Sequence, residues 1–124
     1  AKRQRLMAQK DFSVVIQLAG NEYSSNALLQ RGRIFETEKQ FELAARDYDN
    51  AARLHGNFQI LLDKANVLER AGKIGEAIQA LDEYIAAARK NLEEKGEAGD
   101  AYLAGKIAES EAHKQALSNP KEDR

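Results

Sequence analysis

Cysteine is absent from the 124 residues, so neither a disulfide nor a thiolate metal site is available. That absence leaves the compartment open, because many secreted chains also lack the residue. Proline occurs once, at Pro120, so nothing earlier in the chain interrupts a helix by ring geometry. An excess of one charge is missing too. The 19 basic and 20 acidic residues leave a net charge of -1, which removes both the positive field of a general nucleic-acid binder and the character of an acidic tail. The longest apolar run, Tyr84 to Ala88, falls far short of the roughly 20 residues of a membrane span. Ala1-Lys2-Arg3-Gln4-Arg5 is basic, but no apolar stretch follows it as a signal peptide requires, and the lack of an initiator Met suggests a cut or processed chain. Length and composition fit one domain over residues 1–118 with a polar tail at 119–124.

Against these absences stands an internal repeat. Leu28-Leu29-Gln30-Arg31-Gly32-Arg33-Ile34-Phe35-Glu36 recurs 33 residues later as Leu61-Leu62-Asp63-Lys64-Ala65-Asn66-Val67-Leu68-Glu69, matched in size, polarity or charge at most positions. The same shift pairs Phe41 with Ile74, Ala44 with Ala77, Tyr48 with Leu81 and Asp49 with Asp82. Inside a unit the apolar residues recur at three and four, as in Phe41, Ala44, Ala45, Tyr48, Ala51 and Ala52, which is the helical period. Gly20, Gly56, Gly72 and Gly96 follow periodic stretches as helix stops, and Asp11, Ser24, Asn57 and Asp100 precede them as N-caps. The pattern predicts an all-α chain with helices at 1–9, 12–19, 25–38, 41–55, 58–71, 74–95 and 100–118, and no strands.

A two-helix unit of this length, with Gly32, Phe35, Ala44, Tyr48 and Ala51 in one copy and Ala65, Leu68, Ala77 and Leu81 in the next, resembles the tetratricopeptide repeat. Leu28 and Leu61 stand where that family has Trp, Arg31 and Lys64 where Leu is usual, and Gly56 where the turn has Pro. The resemblance implies an α-α superhelix, a right-handed solenoid of antiparallel helix pairs. It divides the chain into a partial repeat at 1–24, repeats at 25–57 and 58–97, the latter with an extended second helix, and a capping helix at 98–118. Arg3, Leu6, Lys10, Phe12 and Val15 anticipate Gly32, Phe35, Lys39, Phe41 and Ala44, as in a fragment of a longer array whose opening helix would fray or self-associate. At the far end, Ala101 to Glu109 echoes Leu61 to Glu69. The small residues Ala101, Gly105, Ala108, Ala112 and Ala116 are expected to pack that helix closely on the last pair.

Chemistry-bearing groups are sparse. His55 and His113 have no second ligand at helical spacing, and Glu109 one turn before His113 suggests a surface contact. The paired carboxylates Glu36 and Glu38, or Glu93 and Glu94, lie in charge-rich helices where solvation is the rule, and no glycine-rich phosphate loop occurs. Lys2, Arg3 and Arg5 lack the interleaved aromatics of a nucleic-acid surface. No metal, cofactor, catalysis or membrane insertion is therefore expected.

What the resemblance does imply is a groove on the concave side, lined by the first helix of each unit: Asn26, Leu29, Arg33, Glu36 and Thr37, then Gln59, Leu62, Asn66, Glu69 and Arg70, with Tyr102, Lys106 and Glu109 continuing the row. Amides and Arg33 can bond a peptide backbone or carboxylate, while Leu29, Leu62 and Tyr102 offer apolar anchors. The expected function is a protein-interaction scaffold holding a peptide or helix of a partner protein. The alternatives are a structural subunit of a larger assembly, such as a secretion or envelope machine, using the ends or convex face, and a regulatory module of a larger enzyme. Where some relatives clamp a chaperone's terminal carboxylate with Lys and Asn, this chain has Leu29, Arg33, Asp63, Gly99 and Leu103, so acidic C-terminal peptides are not the expected ligands.

Overall fold

A computed structural model describes residues 21–54, 56–95 and 101–119. These form five helices and no strand: α1 (Asn21–Thr37), α2 (Phe41–Leu54), α3 (Ile60–Arg70), α4 (Ile74–Lys95) and α5 (Ala101–Ser118). Each packs on the next in the chain. Among the sequence expectations, the helices at 1–9 and 12–19, the basic cluster at Lys2, Arg3 and Arg5, the stops at Gly20 and Gly96, the caps at Asp11 and Asp100, His55 and the tail from Pro120 lie outside the described residues.

The two-helix repeat is present in the backbone as well as in the side chains. Both α1 and α3 end in the same reversed turn. The Gln40 N–H donates to the Phe35 carbonyl at 2.8 Å and the Lys39 N–H to Glu36 at 3.0 Å; one period later Lys73 donates to Leu68 at 2.9 Å and Gly72 to Glu69 at 3.0 Å. These paired bonds satisfy carbonyls that the helix end leaves open, and they require a left-handed residue after the last turn. Gly72 supplies it at φ 81°, whereas in the first unit the same place is held by Lys39 at φ 63°. A lysine there gives no sequence signal, and the turn forms regardless.

Two capping expectations are corrected. α1 runs back through Ser24 to Asn21, so Ser24 does not start the helix. α3 opens on Gln59 without a side-chain cap, and its first turn is instead tightened by N–H bonds from Ile60 to Asn57, Leu61 to Phe58 and Leu62 to Gln59.

The core follows the repeat. Leu28, Ala44, Tyr48 and Ala51 are buried, and so are Leu61, Ala77, Leu81 and Tyr84 at the matching places. Within each pair the helices meet through small residues. Ala44 and Ala77 are fully buried. A Cβ added at Gly32 would lie 2.8 Å from Tyr48 Cε1 and 3.3 Å from Asp47 Cβ, so the Tyr48 ring fills the space that glycine leaves. The second unit solves the same packing problem with Ala65 and the smaller Leu81. Phe58 then joins the α2–α3 turn to α4, its ring centroid 5.8 Å from that of Tyr84.

Among the described residues, one buried charged group departs from the apolar pattern. Asp47 on α2 is 3% exposed and receives a bidentate pair from Arg31 on α1, Nε to Oδ2 at 2.7 Å and Nη2 to Oδ1 at 2.8 Å. The second unit has Lys64 and Ala80 in these places, and Lys64 turns to Asp49 on α2 at 2.9 Å.

The helix α5 corrects the sequence reading of its packing. Leu103, Ile107 and Ser110 are buried, with the same i, i+4, i+7 spacing as Leu61, Ala65 and Leu68, while Ala101, Gly105, Ala108, Ala112 and Ala116 are exposed. The 40-residue echo of Leu61 to Glu69 therefore places the wrong side inward. Two leucine-sized side chains bury more apolar surface than a row of methyl groups, and they decide which side faces the core.

Two outcomes test this packing. Ala44→Leu or Ala77→Leu should destabilise by about 1–3 kcal/mol through overpacking, while exposed Lys90→Ala stays within about 0.5 kcal/mol, both read by chemical denaturation. Gly32→Ala gains about 1 kcal/mol of helix propensity and yet should destabilise, since the buried Tyr48 ring has no room to retreat. Combined with Tyr48→Leu, which recreates the pairing of the second unit, it should cost at least about 1 kcal/mol less than the two single changes add to.

Candidate functional site

The helices alternate between two sides of the molecule, and side-chain pairs tie each side together. On one, Arg70 of α3 reaches Glu36 of α1 at 2.9 Å, and His113 of α5 reaches Glu69 of α3 at 2.6 Å. On the other, Arg53 of α2 bridges to Glu83 of α4 at 3.1 Å. The residues singled out from sequence belong to α1, α3 and α5 or, in the case of Gln59, stand just before α3.

Their surroundings differ. Asn26, Arg33 and Thr37 on α1, Gln59 before α3, and Asn66 and Arg70 on α3 are exposed. Leu29 and Leu62 are half-buried, each with one flank on the core and the other open. Tyr102 is 67% exposed, and the Lys106 ammonium stands 5.6 Å from its ring centroid while pairing with Glu109 at 3.3 Å. Several others are engaged within the fold. Glu36 accepts the Tyr48 hydroxyl at 2.7 Å through one oxygen and Arg70 through the other. Arg70 also lies over the Phe41 ring at 4.6 Å. The Thr37 hydroxyl donates back to the Arg33 carbonyl at 2.9 Å. His113 pairs with Glu69 across two helices, not with Glu109 on its own. Among the described residues, no side-chain hydrogen bond or ion pair engages Asn26, Gln59 or Asn66.

Two clusters result. Between α1 and α3, Arg33, Glu36 and Asp63 gather around the end of Tyr48. The phenol is held well above its usual range, first by burial and then by donating to Glu36, so it remains a neutral donor. Asp63 is also raised, because its loss of solvent and the nearby Glu36 charge outweigh the attraction of Arg33. Between α3 and α5 lies a cleft of about 210 Å³ lined by Leu62, Asn66, Lys106, Glu109 and His113, floored by Ala65 and Leu81. Burial raises the Tyr84 phenol beside it, against the opposing charge of Lys106.

Sequence reasoning misses Tyr48 as a member of the first cluster because it reads as a gap-filling aromatic. The hydroxyl at the far end of its ring is the signal available: a buried tyrosine brings its polar tip to a partner or to water. Among the described residues, no group of three or more His, Asp or Glu side chains is arranged to hold a metal ion, and no helix is long and apolar enough to cross a membrane. No protein-family model, curated protein or solved structure shows a significant match to the chain.

The carboxylates give opposite pH signatures. Burial alone would raise Asp49, but hydrogen bonds from Arg53 and Lys64, and their charges, hold it below its usual value. Its contribution is therefore present above the unfolded carboxylate pKa near ~3.9 and is lost as pH falls through the lower folded value. Asp63 works the other way, since its folded pKa is raised and ionisation at neutral pH opposes folding. Asp49→Asn should lower stability at pH 7 by about 1 kcal/mol and flatten the acid limb of the stability curve. Asp63→Asn should raise the melting temperature at pH 7, with the gain vanishing below about pH 4. Thermal melts across pH 3–7 read both.

Proposed function

We propose that this chain is a non-catalytic protein-interaction module of tetratricopeptide-like build, whose face of α1, α3 and α5 forms the concave wall that holds an extended peptide or a helix of a partner protein. The observation that carries the reading is the division of labour on that face. Glu36, Glu69 and Arg70 are taken up in bonds between helices, while the amides of Asn26, Gln59 and Asn66, the open flanks of Leu29 and Leu62 and the ring of Tyr102 point away from the core. Amide groups bond peptide backbone, and half-buried leucines with an exposed tyrosine supply the apolar anchors on which binding energy concentrates. The 33-residue recurrence of burial and turn geometry supports the repeat architecture that would set these positions in a row.

The test is affinity capture with the intact chain, followed by titration of the recovered partner. Leu29→Ala, Arg33→Ala, Leu62→Ala and Asn66→Ala should each weaken binding by roughly 1–2 kcal/mol, about tenfold, in proteins whose circular dichroism and melting show the fold retained. Glu42→Ala and Gln79→Ala, both exposed on the opposite side, should leave it unchanged. Binding that survives the first four changes and is lost with the last two would reverse the assignment of faces.

A further inference from the structure

The internal repeat lets one unit measure the other. In the first, the Tyr48 ring lies against Gly32 and its hydroxyl donates to Glu36 Oε1 at 2.7 Å, with Arg33 close enough to act on the phenol. Glu36 uses its other oxygen to hold the neighbouring helix, accepting Arg70 of α3 at 2.9 Å. One period of 33 residues later, Ala65, Asn66, Glu69 and Leu81 stand in the places of Gly32, Arg33, Glu36 and Tyr48. Glu69 keeps half of the arrangement: its Oε1 lies 2.6 Å from His113 Nε2 of α5, as Glu36 reaches Arg70. Among the described residues, no hydrogen bond or ion pair engages its Oε2.

A leucine where the other unit has a tyrosine leaves room. Leu81, Ala65, Asn66 and Leu62 line the cleft of about 210 Å³ between α3 and α5, and Ser110 and His113 belong to its α5 wall. Glu69 stands one helical turn from Asn66 and is bonded to His113, both of which line the cleft. The second unit's own buried tyrosine does not close it: Tyr84 stands one turn beyond Leu81, with its ring centroid 5.8 Å from that of Phe58, and is not part of the lining. The volume is below the ~300–1,000 Å³ of pockets that take drug-sized molecules. An apolar cavity of ~150 Å³ already accommodates a benzene ring, so one aromatic side chain is the matching size.

We propose, resting on the reading of α1, α3 and α5 as the partner-binding face, that this cleft is a subsite for a tyrosine side chain of the partner segment. The ring lies on Ala65 and Leu81, and the hydroxyl donates to the open oxygen of Glu69, as Tyr48 does to Glu36 within the first unit. Glu69 need not release His113 to accept it, because Glu36 serves a phenol and a cation at once. A phenylalanine would fill the volume and leave the carboxylate without its donor, and a leucine would supply neither the ring nor the hydrogen bond.

The experiment titrates the intact chain with N-acetyl-tyrosinamide, N-acetyl-phenylalaninamide and N-acetyl-leucinamide, read by NMR at the methyl groups of Leu62, Ala65 and Leu81 and at the side-chain amide of Asn66. The tyrosine probe should shift all four together with a dissociation constant in the millimolar range, and the phenylalanine probe should bind about fivefold more weakly, the net worth of one hydrogen bond. Glu69→Ala should bring the two probes within about twofold of each other. Ala65→Gly combined with Leu81→Tyr, which moves the first unit's pairing into the second, should abolish the shifts. A phenylalanine or leucine probe that matches tyrosine on the parent chain, or tyrosine shifts centred elsewhere, would overturn the subsite. If a captured partner is weakened by Leu29→Ala and Leu62→Ala while the tyrosine probe leaves the cleft untouched, the binding face stands and the subsite falls. If the probe binds and no captured partner depends on that face, the face falls while the cleft still selects a phenol.

Discussion

Two helices share a face at close range only where one of them presents almost no side chain. In this chain that constraint falls on Gly32 and Ala44 in the first pair and on Ala65 and Ala77 in the second. What stands opposite is then determined. Gly32 leaves a hollow that the Tyr48 ring fills to contact distance, and Ala65, larger by a methyl group, faces the smaller Leu81. Volume is conserved across the pair rather than at either position, as expected for an interior packed at crystal-like density. The 33-residue recurrence persists because the crossing points demand it, even though few residues are identical between units.

The same packing carries a polar consequence to the surface. Tyr48 is buried along its ring, and its hydroxyl emerges between α1 and α3 at Glu36. Glu36 holds Arg70, and Arg70 lies on Phe41. One core side chain thus begins a chain of contacts that runs from α2 through α1 to α3 and back to the start of α2. On the other side, Asp49 joins Arg53 and Lys64, and Arg53 continues to Glu83. Each exposed pair contributes little alone. Their placement across helix interfaces fixes the register of one pair on the next, which apolar contacts among alanines specify weakly.

Much of the fold was legible in the sequence. The bounds of α4 follow from periodicity and the glycines at 72 and 96, and the burial of Ala44, Ala45, Tyr48, Ala51 and Ala52 from periodicity. What was not legible has physical causes. The turn after α1 rests on Lys39 in a left-handed conformation, a role in which only glycine or asparagine announces itself. The start of α1 at Asn21 directly follows Gly20, but Ser24 offers a cap-type side chain three residues later and draws the sequence boundary inward. In α5 the small residues repeat as regularly as the large ones, and periodicity cannot say which stripe faces inward; the apolar area of Leu103 and Ile107 settles that. For the candidate site, type and spacing located the exposed face, but which charges on it are engaged by neighbouring helices depends on contacts between residues 34 and 44 positions apart, as in Glu36 with Arg70 and Glu69 with His113.

That last point bears on what the proposed binding face can select. A charge already bonded across two helices is costly to recruit for a ligand, since its partner would be left exposed to the same competition. On the proposed reading, Glu36, Arg70 and the His113-bound oxygen of Glu69 would act on a ligand through the shape they maintain, and recognition would fall to neutral amides, to leucine flanks and to Tyr102, groups whose contribution depends on backbone geometry and apolar spacing. Arg33 is the exception: it is exposed and acts on Asp63, whose carboxyl is held above its usual range by burial and the Glu36 charge against the pull of Arg33. An acidic ligand side chain meeting Arg33 would also meet Asp63 and Glu36, and a basic one would meet Arg33. Both signs are opposed at this spot, which favours a partner segment that is apolar and uncharged where it crosses α1 and α3, with its charges further along the face toward Lys106 and Glu109.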